Sequence, residues 1–188
     1  MEILAALDLA HREFEEALRR VGDDQWALPT PCTEWNVRQV ANHVVAAGDY
    51  FMALLQGASK EDALERLAAP DVLLPDPVSA FVAQRPELRA AFRAPGALEL
   101  IGHHVIADMT GAQLLHGCVA ETTVHTWDIT HATSNDQQLD PELAEVALAT
   151  FEQLSPIFVA NGFAAPSVEI SATAPVQARL VALSGRQP

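Results

Sequence analysis

Glu121 and His125 stand four residues apart in a run, Glu121-Thr122-Thr123-Val124-His125, that contains neither Gly nor Pro. On a helix, side chains at i and i+4 lie one above the other, with Cβ atoms roughly 6 Å apart. A carboxylate and an imidazole at that spacing can grip one divalent cation from consecutive turns. A third donor must come from elsewhere in the chain, and His43 is the candidate. Two imidazoles and one carboxylate leave a coordination position open, the pattern of catalytic metal sites. Zn²⁺ is the default for such donors, with Ni²⁺ and other divalent ions open. The ion could lower the pKa of a bound water, bind a thiolate or polarise a carbonyl.

Each of these residues also has a plainer reading. Glu121 could pair with an arginine or lie at a wet edge of the fold, and His43 alone would read as a core histidine with its hydrogen bonds satisfied. Asp128, three residues after His125, either orients that imidazole or faces solvent. His103-His104 could line the mouth of the site, although a surface turn explains them as well. Cys118, one turn before Glu121, fits a small apolar core position. Cys32 precedes a helix N-terminus that could lower its thiol pKa, yet no histidine is tied to it by sequence. His131 falls at a helix end, where a cation complements the dipole.

The elements that must position these groups are helical. From Ile3 to Val21 the apolar residues Leu4, Leu7, Ala10, Phe14, Leu18 and Val21 step by three and four, and Gly22 ends the run. Pro29 and Pro31 bracket a loop, after which Thr33 is the expected N-cap of a helix from about Glu34 to Leu55. The stretch from Ser59 to Gly102 is cut by Pro70, Pro75 and Pro77, with short helices expected over Asp62–Leu67 and Val78–Arg93. Arg85, Arg89 and Arg93 read as one solvated helix face. Leu98 to Ile106 is β-compatible and could be extended. A helix from Gly111 to about Thr130 carries Glu121 and His125. Asp140-Pro141 starts another that runs towards Pro156, as N-cap and first helical residue. Ser167 to Ser171 alternates like a strand, and Val176 to Leu183 is a short helix ended by Gly185.

Two of these helices place polar chemistry on the face expected to be buried. Leu114, Cys118, Glu121, His125 and Asp128 form one stripe; Val40, His43, Ala47, Tyr50 and Leu54 form another. Facing stripes of this kind are how bundles build metal sites. The expected fold is therefore mainly α: a four-helix bundle with extra short helices and a small C-terminal strand/helix appendage, in a single domain over residues 1–188.

Composition narrows the class. Almost half the residues are apolar, which supports a folded core. A formal charge of −14 with only 11 Lys and Arg argues against nucleic acid, because phosphate binding needs clustered basic residues. No secretory signal and no stretch of about 20 apolar residues is visible, so no membrane partner is expected. The two cysteines are far apart and form no disulfide framework. A cytoplasmic enzyme or binding protein is the natural class.

The run Pro29-Thr30-Pro31-Cys32-Thr33-Glu34-Trp35-Asn36-Val37-Arg38, with His43 close behind, resembles the N-terminal signature of the mycothiol-dependent maleylpyruvate isomerase family. Glu121 to Asp128 resembles its second signature, and Leu183-Ser184-Gly185-Arg186 the closing pattern of short actinobacterial members. The resemblance implies a DinB-like bundle with a divalent metal, usually zinc, held by His43, Glu121 and His125. It also implies a small-molecule substrate, a low-molecular-weight thiol such as mycothiol as cosubstrate, and a tendency to dimerise. The isomerase carries a further C-terminal domain, for which too little chain follows the last helix here. Two functions stay open: a metal- and thiol-dependent transferase or isomerase (with a hydrolase using bound water as a variant), or a stress-response protein that binds metal or ligand without turnover.

Overall fold

A computed structural model describes residues 1–74, 76–135 and 138–188. Helix α1 (Ile3–Arg19) buries Leu7, Ala10, Phe14 and Leu18 of the predicted stripe, with Ala6, His11 and Ala17 beside them, while Leu4 and Val21 are only half-buried. It stops at Arg19, two residues short of the expected end. Helix α2 spans Val37–Leu55. Its N-cap is Asn36, not Thr33, because Asn36 accepts from the Gln39 N–H while the Gln39 side chain accepts from the Asn36 N–H. That reciprocal box satisfies two orphan donors and fixes the start. Thr33 and Glu34 remain in the preceding turn.

The middle region folds as α3 (Lys60–Leu67) and α4 (Pro77–Arg93), with Asp76 as the N-cap of α4. Pro75 lies outside the described residues. The arginine face of α4 is not simply solvated. Arg89 makes a two-pronged contact with Asp8 at 2.5 and 2.8 Å, and Arg85 pairs with Glu15, so two of the three arginines tie α4 to α1. The extended stretch is confined to a small antiparallel hairpin, β1 (Ile101–His103) with β2 (Asp108–Thr110).

Helix α5 (Gly111–Ala132) is the centre of the molecule, packed against α1, α2 and α6. From Cys118 to Thr130 nearly every residue is buried, so α5 lacks the one-sided face of a surface helix. Its buried threonines satisfy their hydroxyls on their own helix: Thr123 donates to the Val119 carbonyl at 2.7 Å, and Thr126 to that of Thr122 at 2.8 Å. Gly111 opens α5 because the chain passes too close for any side chain. A Cβ there would lie 1.8 Å from the Ala97 carbonyl oxygen.

Helix α6 (Pro141–Ala160) starts as expected, with Asp140 accepting from the Glu142 and Leu143 N–H groups. It continues through Pro156, which removes one bond from a ladder that holds on either side. Among the described residues, α6 alone is long and apolar enough to cross a membrane by length and composition. The expectation that no such stretch exists is thereby corrected; α6 packs against α5 and α7 (Val176–Leu183). The C-terminal strand does not form. Among the described residues Ser167 to Ser171 has no partner strand; the Val168 N–H instead donates to the Ala182 carbonyl of α7. Alternation without a second strand leaves the ladder unpaired.

Candidate metal centre

The seam between α2 and α5 brings the three sequence-derived residues together. His43, Glu121 and His125 each offer one donor atom, and these atoms all lie within 4.8 Å of one another. The His43 and Glu121 atoms are closest, with Nε2 2.8 Å from Oε1. The two rings meet edge to face at 5.2 Å. A tetrahedral zinc ion with bonds of roughly 2.0–2.1 Å spaces its ligand atoms about 3.3 Å apart, within the range found here.

Glu121 carries the test of fit. Part of its side chain reaches solvent, but Oε1 is buried and has no hydrogen-bond partner. The nearby His43 nitrogen is close without meeting hydrogen-bond geometry. Burial opposes the charged carboxylate, yet His43, then His125 and His104, outweigh it and hold the carboxyl below its ordinary pKa. An ionised oxygen with no directed donor, facing two imidazoles, suits a cation.

His125 is oriented from behind. Its Nδ1 lies 2.9 Å from Oδ2 of Asp128, which leaves Nε2 for the shared centre. Asp128 is fully buried, so the solvent-facing reading is excluded. Burial raises its pKa, but hydrogen bonds from His125 and Arg186 prevail and keep it ionised below the usual carboxylate range. Burial likewise lowers the pKa of His125 more than Asp128 raises it, favouring the neutral imidazole that a metal requires.

The Pro29–Asn36 loop shows why its residues matter. Pro29 and Asn36 form an isolated bridge, and the Thr30 hydroxyl donates to the Trp35 carbonyl at 2.8 Å. The fold of this loop lays Trp35 over the site, its ring 4.4 Å from His43 and 6.0 Å from His125. Sequence reasoning gave Trp35 no role; its place at the end of a doubly proline-bracketed loop was the available signal. A cavity of about 260 Å³ lies alongside, lined by Trp35, Arg38, Asn42, His43, Ala69 and Asp71 among others. Asn42 shapes it by donating to the Ala69 carbonyl and accepting from the Val72 N–H.

The remaining candidates separate cleanly. His104 is buried against Tyr50 and Phe158, and burial lowers its pKa to about 4 despite the attraction of Glu121. His103 is exposed and pairs with Asp108 across the hairpin. His131 lies against the ring of Trp127. Cys118 is a buried core residue whose thiol burial pushes up. The activation left open for Cys32 is not found: burial raises its pKa, and Arg186 only partly offsets this.

The fold and seam define a class: a helical bundle that collects two imidazoles and a carboxylate at its core. The profile of the family described as mycothiol maleylpyruvate isomerase N-terminal domain matches residues 7–130, and the chain belongs to that family. Two Mycobacterium tuberculosis proteins, Rv0738 of strain H37Rv and MT0763 of strain CDC 1551, are each 30% identical over 154 residues. The match spans 82% of this chain and 80% of theirs, and both are described as uncharacterized. The crystal structure of the mycothiol-dependent maleylpyruvate isomerase superposes with a TM-score of 0.61 at 17% identity, covering 89% of this chain and 74% of that one. A mutant of that enzyme gives 0.62 at 16% over the same shares. The likeness to these structures is one of fold, the mainly α DinB-like bundle.

Proposed function

We propose that this chain is a metal-dependent enzyme that uses a low-molecular-weight thiol, such as mycothiol, in a transfer or isomerisation on an electrophilic small molecule. The observation that carries the reading is the buried, unpartnered Oε1 of Glu121 within 4.8 Å of donor atoms from His43 and His125. Those three residues would hold one divalent ion, with zinc favoured by the donor set. Such an ion supplies the electrostatic pull that makes a thiol nucleophilic at neutral pH.

The protein's own contribution is orientation and access. Asp128 holds His125 in the tautomer that presents Nε2. Trp35 covers one side of both imidazoles and limits water there. The 260 Å³ cavity, with His43 in its wall, offers a polar route for a hydrophilic thiol, and Arg38, Asn42 and Asp71 line it. That open approach favours turnover over sealed storage. The family membership supports the thiol; its name describes an isomerase acting on maleylpyruvate, and no residue here selects that substrate.

The deciding experiment is elemental mass spectrometry on untagged protein beside His43→Ala and Glu121→Ala. About one equivalent of a divalent metal is expected in the parent and lost in both variants, followed by activity only with an added thiol. A parent protein that neither carries nor takes up zinc would sink the reading.

A further inference from the structure

We propose that Arg186 is a positioning residue for the metal centre, acting through Asp128 to fix the ring of His125. The inference rests on the metal reading above but names a residue 58 positions beyond Asp128 in the chain.

The geometry is a three-member relay of hydrogen bonds. Arg186 Nε donates to Asp128 Oδ1 at 3.0 Å and Nη2 donates to Oδ2 at 2.7 Å, a fork that occupies both carboxylate oxygens. His125 Nδ1 donates to the same Oδ2 at 2.9 Å. Asp128 is fully buried, and the Arg186 side chain is only 12% exposed. A buried carboxylate held by one imidazole alone would be free to rotate about its Cβ–Cγ bond. The planar fork stops that rotation, so the acceptor for Nδ1–H stays aimed and Nε2 stays on the site.

The backbone that delivers Arg186 is built for it. Helix α7 ends in a complete Schellman turn: the Arg186 N–H donates to the Val181 carbonyl and the Gly185 N–H to the Ala182 carbonyl, both at 3.1 Å. Gly185 has φ +83°, and a Cβ there would lie 2.8 Å from Cβ of Ala165. Only glycine fits that position without strain. The remaining guanidinium nitrogen, Nη1, donates to the Ser184 carbonyl at 2.6 Å, locking the side chain to the turn that presents it.

The test compares the parent with Arg186→Ala, Arg186→Lys and Gly185→Ala, after thermal unfolding has shown which variants are folded. Two readouts are used: Co²⁺ affinity by competition with a chromophoric chelator, and the His125 tautomer in metal-free protein by ¹⁵N-resolved imidazole NMR. Expected results are a roughly 10–100-fold loss of Co²⁺ affinity in Arg186→Ala and partial recovery in Arg186→Lys, whose single ammonium cannot fork. The Nδ1–H tautomer, exclusive in the parent, should become mixed in Arg186→Ala and in Gly185→Ala. Folded variants that keep the parent tautomer, or that bind Co²⁺ within about twofold of the parent, would overturn the proposal and assign Arg186 to stability alone. A parent that binds no Co²⁺ while its variants still release the tautomer would defeat the metal reading and leave the positioning role standing.

Discussion

Nε2 of His43 on α2 lies 2.8 Å from Oε1 of Glu121 on α5, and that oxygen nonetheless lacks a hydrogen-bond partner. Two donor atoms so close, and so poorly aligned for sharing a proton, are arranged around a point between them. Both atoms would serve one cation at that point, so removing either should cost binding. His43→Ala and Glu121→Gln should each weaken Co²⁺ binding by at least about tenfold, read on folded protein by competition with a chromophoric chelator. Parent-like affinity in folded His43→Ala would count against His43 as a ligand.

Buried histidines predict the acid sensitivity of the metal-free protein. Burial holds both His11 and His104 near a pKa of about 4, below the ordinary histidine value of 6.5. Between those values the unfolded chain binds protons that the folded chain does not, so stability is complete above about pH 6.5 and falls towards pH 4. Each histidine can contribute roughly 3 kcal/mol to that loss. Urea unfolding across this range, with chelator present, should show the decline. His11→Leu, which places an apolar side chain against Phe81, should flatten the slope by about one proton. An unaltered slope would remove His11 from the account.

Gly111 is the packing hinge of the site-bearing helix. An alanine Cβ there would strike the Ala97 carbonyl at 1.8 Å, and the neighbouring backbone is fixed by the Gly111 N–H to Leu100 and the Ala112 N–H to Leu98. Gly111→Ala should cost about 2–4 kcal/mol, because backbone and not a flexible side chain must yield. Gly117 on the same helix has open space, so Gly117→Ala should stabilise by roughly 0.5–1 kcal/mol. Paired denaturation curves check both; equal effects at the two positions would contradict the close approach.

How much was legible in sequence varied with the range of the interaction. His43, Glu121 and His125 follow from helical periodicity, which is local and needs only that both stripes be buried. The relation of Asp128 to His125 was visible as spacing and as a shared stripe, yet a solvent-facing Asp128 stayed open because α5 is enclosed on nearly all sides and its pattern singles out no one buried face. Arg186 was hidden for a different reason. Its partner lies 58 residues away, and only the turn after α7 brings the two together. The N-cap of α2 was a contest between two competent residues, Thr33 and Asn36, settled by Gln39 three residues after Asn36. The missing strand at Ser167–Ser171 shows the limit of alternation: it states which side chains share a face, not whether a neighbour exists to pair with.

The dependence of His125 on Arg186 sets an order of assembly. All the donor residues leave the ribosome before α7 does, and until the Schellman turn closes, Asp128 is a buried-face carboxylate without its guanidinium. A centre assembled from the middle of the sequence is thus completed by its far end. On the proposed metal reading, capture by a nascent chain would be weakest while packing is unfinished, and a fusion or a proteolytic cut just beyond α7 would act on the centre as directly as a change in α5.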